Sequence, residues 1–159
     1  MSNIIYLTIN GKKQGLISAG CSSENSIGNL YQLGREDQIY IYELSHALYR
    51  DQNVTHSPMT IKKPIDKSSP LLGVAISSNE ELECLFDIYR TDSAGGLSKY
   101  YTFKITNVTI SEMSFICPNS LTHNDAQPQE SVSFKYKSIT WQHHLAGTSG
   151  YSFWDDRVY

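Results

Sequence analysis

Three cysteines in 159 residues leave one thiol unpaired in a monomer, and none shares a C-x-x-C spacing, so neither a disulfide framework nor a zinc site is expected. A reducing compartment during folding is the simplest reading. No apolar run approaches the roughly 20 residues that span a bilayer, so membrane insertion is not expected. The formal net charge is only -3, which gives no electrostatic footprint for nucleic acid. Lysines pair up at Lys12 with Lys13, Lys62 with Lys63, and Lys135 with Lys137, and these read as solvated strand faces. The N-terminus lacks a basic segment, a long apolar core and a small-residue cleavage site. Synthesis and folding in the cytosol are therefore expected, and export would need a route without a cleaved signal. Repeats and low-complexity tracts are also missing, and the length fits one domain over residues 1–159.

What is present is mostly alternation with a period of two. Ile5, Leu7 and Ile9 share one face of a first strand, and Asn10 with Gly11 predicts a type I′ turn into residues 12–17. Residues 20–34 are polar and turn-rich, with room for a short strand over 26–31. Residues 38–49 return to strand, and their first half is apolar on both parities. Ile39 and Ile41 face one way, while Tyr40, Tyr42 and Leu44 face the other. Such a strand is buried on both faces, either inside a sandwich or under a neighbouring subunit.

Residues 81–90 alternate cleanly, Asp92 to Gly96 form a turn, and residues 98–106 and 108–116 continue as strands. Parity slips between Ile110 and Met113, which predicts a bulge. A last long strand is expected over 130–143, where Val132, Phe134 and Tyr136 give way to the opposite parity at Ile139 and Trp141, so a bend or bulge is expected there too. Cys84 shares the inward parity of Leu82 and Phe86 and reads as a buried, inert thiol. Cys21 falls in a loop, and Cys117 precedes Pro118 at a strand end. The tail after Leu145 reads as an irregular arm rich in glycine and aromatic residues.

One helix is expected, over about residues 69–78, where a strand runs straight into it. Ser69 reads as the N-cap, Pro70 as the first helical residue, and Asp66 as negative charge near the positive helix end. Leu71 with Ala75, and Leu72 with Ile76, give one apolar face before Ser77, Ser78 and Asn79 end it. The fold class is therefore mainly antiparallel β, a barrel or two-sheet sandwich of seven to nine strands with one short helix.

The residue types that carry catalysis do not assemble into a pattern. His46, His56, His123, His143 and His144 form no H-E-x-x-H or H-x-H spacing, and no G-x-S-x-G exists. His123, Asn124 and Asp125 with Ser120 read as turn formers. Gly95 with Gly96, and residues 147–150, lack the strand-to-helix context of a phosphate cradle. Glu80 with Glu81, and Asp155 with Asp156, read as polar surface, and the Asn53 and Asn107 sequons matter only in a secreted eukaryotic protein. No catalytic residue, cofactor or metal ligand is assigned, and a binding or assembly role is expected over an enzyme. Eleven tyrosines fit either interfaces or ordinary strand composition.

The segment 60–72, with Lys62, Lys63 and Pro64 before Asp66, Lys67, Ser68, Ser69 and Pro70, resembles the signature of the haemolysin-coregulated proteins, the Hcp tube subunits of bacterial type VI secretion. Residues 3–11, 82–89, 100–110 and 131–141 are similar to other strands of that family. The resemblance implies a β-barrel subunit of a homo-hexameric ring. Rings stack into a tube inside a contractile sheath, capped by a spike, with small effectors in the lumen. It also implies secretion without a cleaved signal and no catalytic residues or cofactor. A fused toxin domain, which some relatives carry, is not expected.

On that reading the loop of Arg50, Asp51, Gln52, Asn53, Val54, Thr55, His56 and Ser57 is expected to project toward a neighbouring subunit or ring, and Tyr40 and Tyr42 to make the lateral contact. A small-ligand or carbohydrate-binding β-sandwich, with Tyr100, Tyr101 and Trp141 as its aromatic site, is the alternative. An enzyme working through residues 123–125 is a third.

Overall fold

The computed structural model describes residues 3–30 and 32–155. Tyr31 and Asp156 lie outside the described residues. Strand β1 (Ile4–Gly11) is the first organiser, because its alternation sends Leu7 and Ile9 into the core. The turn after it involves Lys12, Lys13 and Gln14, two residues later than expected, and leads into the two-residue β2 (Gly15–Leu16). The reason is local. Gly15, at φ 74°, supplies the left-handed residue, while the Glu80 carboxylate accepts the N–H groups of Lys13 (3.1 Å) and Gln14 (3.0 Å). Glu80 is thus buried at 3% exposure and not polar surface.

Where a loop with a short strand was expected, a one-turn helix α1 (Glu24–Ile27) runs into a 3-10 turn (Gly28–Leu30), so the chain has more than one helix. Ser23 favours this by accepting N–H bonds from Ser26 and Ile27 while its hydroxyl donates to Gly20 O at 2.7 Å. The expected strand over 38–49 is three short ones: β3 (Ile39–Ile41), β4 (Glu43–Ser45) and β5 (Leu48–Arg50). They are followed by β6 (Val54–His56) and β7 (Met59–Pro64).

After β7 comes the main helix α2 (Ser68–Ser78), then β8 (Leu82–Thr91), the twenty-residue β9 (Leu97–Ile116), β10 (Gln129–Lys135), β11 (Ser138–His143) and β12 (Thr148–Phe153). The predicted slip in β9 is a bulge at Ser111, since Ser133 opposes Glu112 and Phe134 opposes Ile110. The predicted bend is the break between β10 and β11 at Tyr136 and Lys137. The tail is not an irregular arm: β12 pairs with β11 from Ser138↔Phe153 to His143↔Thr148.

Among the described residues all strand pairings are antiparallel, and together they close a barrel. β1 pairs with β8 from Ile4↔Tyr89 to Gly11↔Leu82, and β8 pairs with the first half of β9. The second half of β9 pairs with β10, and β10 pairs with β7. Closure comes from the strand that changes sheets at Tyr42. Before it, β3 pairs with β1 (Ile5↔Ile41 to Leu7↔Ile39); after it, β4 pairs with β7 (Glu43↔Lys62 to Ser45↔Thr60). Phe86 and Phe134 meet edge to face in the middle at 6.3 Å, both fully buried. Cys84 is buried as expected. Cys21, which falls in a loop, is buried too, and its thiol is pushed up to about 12 by burial and, secondarily, by the Asp66 charge.

Helix α2 packs Leu72 and Ala75 into the core, with Leu71 and Ile76 against its rim, and ends at Asn79 in the left-handed conformation. It starts one residue early, with Lys67 and not Ser69 at the N-cap, where it gives no side-chain bond. Asp66 Oδ1 accepts the Ser68 N–H at 2.9 Å. Ser69 instead donates to Glu130 Oε1 at 2.8 Å. Lys63 overturns the reading of its lysine pair as solvated. Its side chain is fully buried, with Nζ 2.9 Å from Asp66 Oδ1 and 2.5 Å from Glu130 Oε1, while Lys62 stays exposed and pairs with Glu43.

Candidate functional site

Ser120, His123 and Asp125 lie in the exposed loop before β10, where His123 Nδ1 bonds the Thr122 hydroxyl at 2.8 Å. Among the described residues no three His, Cys, Asp or Glu side chains form a metal-sized group, and no helix is long and apolar enough to cross a membrane. The aromatic candidates are already engaged: Arg90 covers the Tyr100 ring at 4.7 Å, and Tyr101 packs edge-on against Phe103 at 5.0 Å, opposite Trp141 in the ladder.

The segment expected to be a polar loop is a β-hairpin. β5 pairs with β6 through Leu48↔His56, Tyr49↔Thr55 and Arg50↔Val54, leaving Asp51, Gln52 and Asn53 at the tip. Alternation puts Leu48, Arg50, Val54 and His56 on one face and Tyr49 with Thr55 on the other. Tyr49 is 64% exposed, so that face is open, and sequence reasoning missed it because Tyr49 lies before the polar stretch.

The last two residues of the expected loop do not project. Ser57 clasps the root of the hairpin: its N–H donates to Ala47 O (3.0 Å), and its hydroxyl accepts the Ala47 N–H (2.9 Å) and donates to Ala47 O. His56 is buried at 4% exposure. Its Nδ1 lies 2.7 Å from the Tyr136 hydroxyl, and its Nε2 lies 3.1 Å from Ser152 Oγ on β12. Trp154 stacks on its ring at 5.7 Å. His46, in the link between β4 and β5, reaches the same Tyr136 hydroxyl through Nε2 at 2.6 Å. Burial, and then the neighbouring His56, hold His46 below the usual imidazole value, and burial pushes the Tyr136 phenol up. The inward parity of Val132, Phe134 and Tyr136 was the available signal for the tyrosine. Nothing in the spacing announced its two histidines.

On the opposite flank, Tyr40 and Tyr42 stand on the outer face. Ile39 and Ile41 fill the barrel as expected. Tyr40 packs edge-on between Tyr6 (5.8 Å) and Tyr42 (5.6 Å), and Arg35 lies 4.1 Å from the centre of the Tyr89 ring, beside Tyr6. This aromatic cover stops at Tyr42, which stays 42% exposed, so the strand is not buried on both faces within one chain.

Tyr42 also marks an edge. The short sheet runs β9, β10, β7, β4, and among the described residues no strand pairs with the outer edge of β4 or with the outer edge of β9 beyond Val108. Phe115 and Ile116, at 63% and 50% exposure, lie on the free stretch of β9. Open apolar strand edges invite pairing with another chain.

A family model described as Type VI secretion system effector, Hcp, matches residues 6–143. The Major exported protein of Pseudomonas aeruginosa is 37% identical over 170 residues, covering 99% of this chain and 99% of that protein. A solved structure described as secreted protein Hcp3 from Pseudomonas aeruginosa superposes with a TM-score of 0.88 at 37% identity, over 98% of this chain and 100% of that one. A second, a crystal structure of an Hcp protein, superposes with a TM-score of 0.91 at 32% identity, over 98% of this chain and 99% of that one.

Proposed function

This chain belongs to the Hcp family of type VI secretion proteins, and from that premise we propose that it is a structural subunit of the secretion tube. Copies join side by side into a six-membered ring, rings stack, and the tube leaves the cytosol with small effectors in its lumen. The sheath surrounds it and the spike caps it. The role is mechanical, with no catalytic step.

The observation that carries this reading is the pair of unlike open edges on one sheet, β4 beside Tyr42 and the far half of β9 beside Phe115 and Ile116. Two different surfaces that fit each other make a head-to-tail contact, and such contacts close into rings when the rotation allows. A partner strand from the next copy would satisfy the unpaired backbone groups on both edges. The β5–β6 hairpin stands outside that sheet with Tyr49, Asp51 and Gln52 exposed, which suits contact with the next ring.

Size-exclusion chromatography with light scattering tests the assignment. The expected species is a ring of six copies of the 18.0 kDa chain. A monomer that persists at high protein concentration would overturn it.

A further inference from the structure

We propose that His46, Tyr136 and His56 form a two-proton latch, which fixes the β5–β6 hairpin to β12 near neutral pH and releases it in acid. Tyr136 has one hydroxyl proton, yet two imidazole nitrogens address its oxygen, His46 Nε2 at 2.6 Å and His56 Nδ1 at 2.7 Å. With the hydroxyl proton used in one of these contacts, that imidazole accepts and the other donates. The chain can run from His46 through Tyr136 to His56 and on to Ser152 Oγ, or in the reverse direction, and it is complete either way.

A first added proton leaves the chain whole. If His46 donates to Tyr136, the proton goes to its other nitrogen. If His56 donates, the proton goes to Nε2 and the Ser152 hydroxyl turns to accept. The second proton has no such place. Both rings then present N–H groups to one oxygen, the Tyr136 proton loses its acceptor, and two like charges stand with ring centres 6.4 Å apart. His56 also carries Trp154 on its face, so its departure loosens the segment after β12 as well.

The surroundings set where this happens. Tyr136 follows β10, Ser152 and Trp154 come from β12 and its end, Glu112 of β9 lines the hollow beside His46, and Asp51 and Asp155 line the cleft beside Trp154. Burial and then the neighbouring His56 oppose a charge on His46. For His46 the balance lies below the usual imidazole value. A group whose folded value is depressed contributes stability that is complete above its unfolded value, about 6.5 for histidine, and that is lost as pH falls. The latch therefore holds near neutrality and weakens in acid. Its consequence for stacking rests on the tube reading above; the latch itself does not.

Trp154 reports on it directly. In a Trp141→Phe background it is the one remaining tryptophan, and its emission changes when the His56 ring leaves its face. Between about pH 7.5 and about pH 5, that change should be steeper than one proton allows, and exchange of the hairpin amides should rise about tenfold relative to the β1–β8 amides. His46→Gln keeps a hydrogen-bond partner for Tyr136 without a second charge, so its transition should follow one proton and its hairpin should stay protected. Equal hairpin protection at both pH values in the unsubstituted protein would overturn the latch, as would a His46→Gln hairpin that opens like the unsubstituted one. A chain that shows the transition yet forms no rings at neutral pH would overturn the tube reading and uphold the latch.

Discussion

The Lys63 ammonium lies 2.5 Å from the Glu130 carboxylate, tying β7 to β10 where neither group meets water. Asp66 holds the same ammonium and accepts the Ser68 N–H at the start of α2, so one cation joins two strands and the helix start. Removing it strands two carboxylates in the interior. Lys63→Ala should cost about 3–5 kcal/mol in urea unfolding, well beyond the loss of Lys62, whose ion pair with Glu43 is exposed. Equal costs at the two positions would show that the buried group is not holding the junction.

The hairpin tip should separate stacking from folding. Asp51→Ser with Gln52→Ser leaves Asn53, His56 and Ser57 in place, so the barrel should unfold within about 0.5 kcal/mol of the unsubstituted protein. Rings should form, but electron microscopy should find no stacked tubes. Deleting all of residues 50–57 is a poorer test, because it removes both anchors of the hairpin.

Tyr42→Asp should yield monomers by light scattering while leaving the thermal midpoint nearly unchanged, since the ring is 42% exposed in one chain. Tyr40→Asp should also yield monomers but unfold earlier, because Tyr40 packs on the buried Tyr6. Rings from the Tyr42 variant would place the lateral contact elsewhere.

Glu80 should make stability depend on acid. Burial alone would raise its carboxyl, but N–H bonds from Gln14 and Lys13 outweigh that and hold it below its ordinary value of 4.5. A depressed folded value means the contribution is complete above 4.5 and is lost as pH falls. The stability gap between the unsubstituted protein and Glu80→Gln, measured by denaturation, should therefore be widest near neutrality and shrink in acid. Gly11→Ala should disrupt the same turn at any pH, by about 1–3 kcal/mol, because a methyl group there runs into this carboxylate.

How much of this was legible follows from what each residue answers to. The bulge at Ser111 and the break at Tyr136 show as parity slips, because alternation is imposed by the strand itself. Lys63 also carried a signal, since it shares the inward parity of Met59 and Ile61, but lysine there reads as solvent-facing until Glu130 is known to stand across the ladder. Glu80 and His56 depend on partners 66 or more positions away in the chain, at Gln14 and Tyr136, so no local pattern reveals them. β12 was obscured because its large side chains, Tyr151 and Phe153, face outward and make no alternating core pattern.

The change of sheet at Tyr42 has a mechanical consequence. The barrel is held on one side of this strand by three paired positions to β1 and on the other by three to β7, whereas β1 and β8 share eight. The wall therefore has a weak seam. With the fewest paired positions it parts first under load, so a chain pulled across this seam would split at Tyr42 before its β1–β8–β9 wall yields.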